Sequence, residues 1–149
     1  MPTIKFAAAV AAILVFATSS VAADPAGDAW NSASSAQKQK FVTENIECSV
    51  FDELSLDSLA HGEGKADDQR TVQEFTNLVK LERNLIPALV PQAGLSADQT
   101  NAIYNVATRH ISNDWKSDKQ SVIDKYNTHC LNIIIHPAER LNEIIDGRN

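Results

Sequence analysis

The chain holds two cysteines in 149 residues, Cys48 and Cys130. No other pair constrains the fold as much. Each lies on or beside an apolar stripe with helical spacing, so a bridge between them ties together two helices far apart in sequence. Disulfides persist in exported proteins, where thiols are oxidised. Closing a loop of about 80 residues stabilises a fold by about 4–5 kcal/mol on chain-entropy grounds. That is comparable with the whole stability of many domains. A redox pair needs C-x-x-C spacing and haem attachment needs C-x-x-C-H; His129 precedes Cys130 instead, so neither pattern is met. The pair therefore reads as a structural staple. The stretch carrying Cys130, SDKQSVIDKYNTHCLNIIIHP at 117–137, is the most concentrated apolar run after the N-terminus. It is expected to be the central helix.

Export is legible at the N-terminus. Lys5 precedes an apolar run from Phe6 to Ala17, and Val21 and Ala23 place small residues where signal peptidase needs them. The run is shorter than the roughly 20 residues that span a bilayer. A signal peptide over 1–23 is expected, with the bacterial periplasm or the extracellular space as destination. Later segments are too polar for membrane insertion after cleavage. The formal net charge is −6. An acidic chain with no basic run lacks the clustered Lys and Arg that nucleic acid or anionic lipid requires.

Residues 24–35 mix Pro, Gly and small polar residues and read as an N-terminal arm; 36–149 reads as a single helical domain. The segment 36–60 repeats Phe41, Val42, Ile46, Val50, Phe51 and Leu54 at three- and four-residue steps. Glycines after His61 end it, and Asp67 or Asp68 suits the cap of a second helix carrying Val72, Phe75, Leu78, Val79, Leu81, Leu85 and Ile86. Pro87 is expected to kink that helix or to start one last turn, with Pro91 and Gly94 ending it. Ser96 with Gln99 forms a capping box for a third helix. Ser117 with Gln120 repeats the pattern, which predicts a break near Lys116, read as a turn. A fourth helix follows with Val122, Ile123, Tyr126, Cys130, Ile133 and Ile134. Pro137 opens a short last helix that stops at Gly147. The expected fold is all-α: a small bundle of four main helices plus a short C-terminal helix, stapled by one disulfide.

Motifs of chemistry are missing from the sequence. There is no G-x-S-x-G elbow, phosphate loop or dinucleotide fingerprint. Glu44, Glu47, Asp52 and Glu53 read as a solvated helix face. No catalytic residues and no cofactor are assigned, and the chain is not expected to be an enzyme. His129 and His136 are seven residues apart, about 10 Å along a helix, which is poor spacing for one metal. His110 and His129, with Tyr126, are the candidates for a ligand or metal site. Trp30 in the arm is expected to dock against its own domain, with partner binding as the alternative; it and Tyr104, read as pointing outward, are the candidate partner contacts. Leu56, Leu81 and Ile135 lie off the main stripes, which suggests association. The expected function is an exported protein-interaction module, an inhibitor, adaptor or envelope chaperone, binding another protein or itself as a homodimer. The alternative is a small-ligand or metal carrier with a pocket between helices.

Overall fold

The computed structural model describes residues 25–61 and 69–148. The signal-peptide reading of 1–23, the glycine turn and the Asp67/Asp68 cap fall outside them. The described residues form six α-helices and no strand: α1 (Pro25–Ser32), α2 (Ser35–Ala60), α3 (Gln69–Gln92), α4 (Ala97–Ser117), α5 (Lys119–Ile135) and α6 (Pro137–Ile145). Helices α2 to α5 form the main packed core, and the Cys48–Cys130 disulfide is present, with Cα atoms 5.3 Å apart.

The helix at the centre is α2, not the Cys130 helix, since α3, α4, α5 and α6 all pack on it. Ser35 Oγ and Gln39 Nε2 donate to the Ala93 carbonyl at 3.2 and 3.1 Å, while Arg83 reaches Glu53. Helix α3 thus runs antiparallel to α2. Gly94, just before α4, lies beside Ser35, and Trp115 in the last turn of α4 shares a groove with Leu54, so α4 runs parallel. Helix α5 returns: Lys119 meets Ser58, Tyr126 meets Phe51 and Cys130 meets Cys48. The result is an up–down–up–down arrangement, and the α4–α5 junction is a true reversal. Helix α6 continues downward, with Arg140 on Glu44 and Gln37 Nε2 on the Ile145 carbonyl.

Local chemistry sets the ends. Ser34 and Gln37 form a capping box on α2, and Ser96 and Gln99 form the expected one on α4. At the reversal the cap is Asp118, whose carboxylate accepts from the Ser121 N–H at 3.0 Å. Ser117, read as that cap, is the last residue of α4. Helix α3 runs through Pro87 and Pro91 to Gln92. Both prolines sit on the exposed face, four residues apart, so the carbonyls that lose their N–H partners are on the side nearest water. Gly94 then closes α3 at φ 72°. Its N–H bonds Pro91 O and the Leu95 N–H bonds Val90 O, a Schellman pair.

The arm differs from its sequence reading. Pro25–Ser32 is helical and packs against α6. Trp30 is 4% exposed, edge-on to Phe41 at 6.1 Å, and its indole N–H donates to Gln92 Oε1 at 3.0 Å. A buried indole with a satisfied N–H is an anchor for its own domain.

Candidate functional site

The sequence candidates do not converge. His110 is exposed and lies 3.3 Å from Asp114 on its own helix. His129 is half-buried in a groove of about 290 Å³ with Asn132, His136, Glu139, Arg140 and Glu143. Tyr126 is buried, stacked on Phe51 at 5.6 Å with the Lys125 ammonium 4.8 Å from its ring centre. Burial pushes its phenol pKa up, with Glu47 adding to the shift. Among the described residues, no group of three or more His, Cys, Asp or Glu side chains is arranged to hold a metal. Trp30 offers no face to a partner. Tyr104 is half-buried and lies near Ser49, Glu53 and Glu82 rather than pointing outward, and desolvation raises its pKa.

The strongest electrostatic feature was not among those candidates. Asp52 is 3% exposed and Glu82 is 1% exposed. They meet between α2 and α3, each a hydrogen-bonding neighbour of the other. Asp52 does not belong to a solvated face. Ser49 lies close to Glu82, yet no donor among the described residues satisfies Asp52 Oδ2 or either Glu82 carboxylate oxygen. Burial pushes the Asp52 carboxyl up from 3.8 to about 7. Burial, then the charge of Asp52, pushes Glu82 up from 4.5 to about 10. Two touching carboxyls in an apolar setting cannot both ionise cheaply. The crevice beside Glu82, walled by Phe41, Leu81, Leu85, Ile133 and Ile134, offers about 10 Å³ to water. That is about one water molecule's worth.

A sequence signal for this pair exists. The buried face of α3 steps through Val79, Glu82, Ile86, Leu89 and Ala93, in steps of three and four. Glu82 sits inside that apolar register. On α2, Asn45, Ser49 and Asp52 follow the same steps and are all buried.

Glu44 is also removed from the solvated face. Its carboxylate accepts from Arg140 Nε and Nη2 at 2.8 and 2.7 Å, and Arg140 Nη1 bonds Glu143 at 2.7 Å. These hydrogen bonds, led by Glu44, hold the Arg140 pKa above its ordinary value. The fork clamps α6 to α2.

The largest groove of those described, about 490 Å³, lies at the C-terminal end of α2 against the α4–α5 reversal. Leu54 and Trp115 give it an apolar floor; His61, Lys116 and Lys119 give it a basic rim, with Asp57 and Ser58 between. Lys119 Nζ sits 5.2 Å from the Trp115 ring centre and bonds Ser58 Oγ. His61 Nδ1 is 2.8 Å from the Asp57 carbonyl. Among the described residues, the one exposed large apolar side chain is that of Val106 on α4.

Comparison with known proteins finds no matching family, no similar curated protein and no similar solved structure. No described helix is long and apolar enough to cross a membrane.

Proposed function

We propose that this is an exported protein-binding module that docks a partner polypeptide in the groove between the end of α2 and the α4–α5 reversal. The observation that carries this reading is the composition of that groove. An aromatic and aliphatic floor, Trp115 and Leu54, is rimmed by Lys116, Lys119 and His61. Lys116 and Lys119 outnumber Asp57 in its lining, so the groove is locally positive on a chain of net charge −6, and such local complementarity sets partner choice and register. The matching ligand is a segment with one apolar side chain flanked by Asp or Glu. Trp is the side chain most enriched where binding energy concentrates. Export rests on the N-terminal signal pattern, with which the disulfide is consistent. Binding is favoured over catalysis because the two most perturbed carboxyls are sealed in the interior. The carrier alternative has less support: the crevice between the helices holds about one water.

The test places a photo-crosslinking residue at Lys116 in the groove, and separately at exposed Asn84 on α3, in the native host. One reproducible protein adduct at 116 and none at 84 is expected, lost when Lys119→Glu is added. Equal labelling at both positions would sink the reading. An adduct of twice the chain mass at 116 would instead make the partner a second copy, which light scattering checks independently.

A further inference from the structure

We propose that Asp52 and Glu82 share one proton and form a pH-sensitive latch between α2 and α3, closed in acid and weakened as the pH rises. The geometry carries this. Two carboxyl side chains from facing helices are both more than nine-tenths buried and lie beside each other. Three of their oxygens have no donor among the described residues. A single proton between them converts one oxygen to a donor and removes one of two like charges.

Beside Glu82 the Ser49 hydroxyl opposes the upward shift, but burial and the Asp52 charge outweigh it. From α2 the nearest charge is Glu53, a third carboxylate; from α3 it is Arg83, which is held on the outside by Glu53 at 2.9 Å. From α4 comes the Tyr104 phenol, near Ser49. The crevice walls contributed by α5 and α6 are Ile133, Ile134 and Pro137, all apolar. Among the described residues, no cation faces the pair from inside.

The sign follows from linkage. Both carboxyls have pKa values raised above those of the unfolded chain, to about 7 and about 10. Their contribution to the closed state is therefore complete below the unfolded values near 4. It is lost progressively as the pH climbs through the folded values. Between pH 7 and 10 the closed seam retains one proton that the opened seam releases. One proton released per opening makes the opening constant rise about tenfold per pH unit.

Amide hydrogen exchange at pH 7 to 9, corrected for intrinsic base catalysis, tests this on the full chain. The α3 amides from Val79 to Ile86 should open about tenfold more often per pH unit. The α5 amides, tethered by the disulfide, should not follow that slope. Glu82→Gln and Asp52→Asn should each flatten the α3 slope. A wild-type slope near zero, a slope that survives both substitutions, or the same slope in α5 would overturn the latch. Should either variant fail to fold, carboxyl ¹³C titration of the wild type decides. One of the two carboxyls must remain protonated at pH 7, and two ionised carboxyls would refute the shared proton. Recovery of α3 protection at pH 9 by millimolar calcium would put a cation where the proton is proposed, and would also refute it.

Discussion

Toward α5, helix α2 presents Phe51 to the Tyr126 ring and closes the Cys48–Cys130 bond. On the neighbouring face, toward α3, it presents Asn45, Ser49 and Asp52 to Glu82. The two faces belong to the same turns of the same helix, yet one is covalent and aromatic while the other buries unsatisfied acid. Burying a carboxyl without a partner costs several kcal/mol unless it takes up a proton. Helix α3 stays docked because Val79, Ile86 and Leu89 are buried alongside, each contributing about 1.5–3 kcal/mol when fully removed from water. A fold held this unevenly concentrates its opening on the weaker face. The staple fixes α5 against α2 whatever the pH, and the acid seam makes the α3 contact conditional.

The sharpest way to break this contrast is to remove the staple. Replacing both Cys48 and Cys130 with Ser is expected to lower stability by about 4–5 kcal/mol, the loop-closure value for a separation of this size. Urea denaturation at pH 7 measures it. Exchange protection in α5 should then fall to the level of α3. A loss below about 1 kcal/mol would show that the aromatic stack alone holds α5, and the contrast between the faces would be one of packing rather than covalency.

Arg140 extends the strongly held side to α6. Its side chain is 13% exposed and that of Glu44 12% exposed, and the pair is bidentate. Arg140→Ala leaves the largely buried Glu44 carboxylate without its donors, and the expected loss is about 1.5–3 kcal/mol, the range for charged hydrogen bonds. Arg140→Lys should recover only part of it, because an ammonium cannot reproduce the planar fork. Thermal unfolding of both variants gives the comparison. Equal stability of Arg140→Ala and wild type would mean that buried Leu141 and Ile144 hold α6 unaided.

Much of this was legible in the sequence. The helices, the Ser96–Gln99 box, the Pro137 start and the cysteine pair followed from rules that act within one turn or from the cell's redox chemistry. What stayed hidden was tertiary. A search for one apolar stripe per helix suits a surface helix, whereas α2 is packed on several sides and buries Asn45, Ser49, Asp52, Ser55 and Ser58 beside its apolar residues. Its charged residues therefore looked like a solvated face. Glu82 could have been found by keeping strict count of the 79–82–86–89 register. The partner of Trp30 could not have been named from its neighbours, since the Gln92 side-chain amide oxygen that receives its N–H lies 62 residues away. The prolines of α3 illustrate the converse. Their local rule was sound, but it applies with less force where water can replace the lost partner.

The smallest expected effect tests how the weaker face is anchored at its far end. The α3 terminus is pinned by the Ala93 carbonyl, which receives Ser35 and Gln39, and by Gly94 at φ 72°. A Cβ at position 94 would meet only Ser35 Oγ, at 3.6 Å, an ordinary contact. Gly94→Ala therefore costs conformational energy alone, about 1–2 kcal/mol for a left-handed residue with a side chain. Asn tolerates that region better than Ala, so Gly94→Asn should lose less than Gly94→Ala by thermal unfolding. If the cap and the shared proton act on one α3 opening event without touching each other, their energies add, and the Ala variant should raise α3 exchange by the same factor at pH 5 and at pH 8. A factor that changes with pH would show that the Gly94 cap and the acid pair are coupled through the seam.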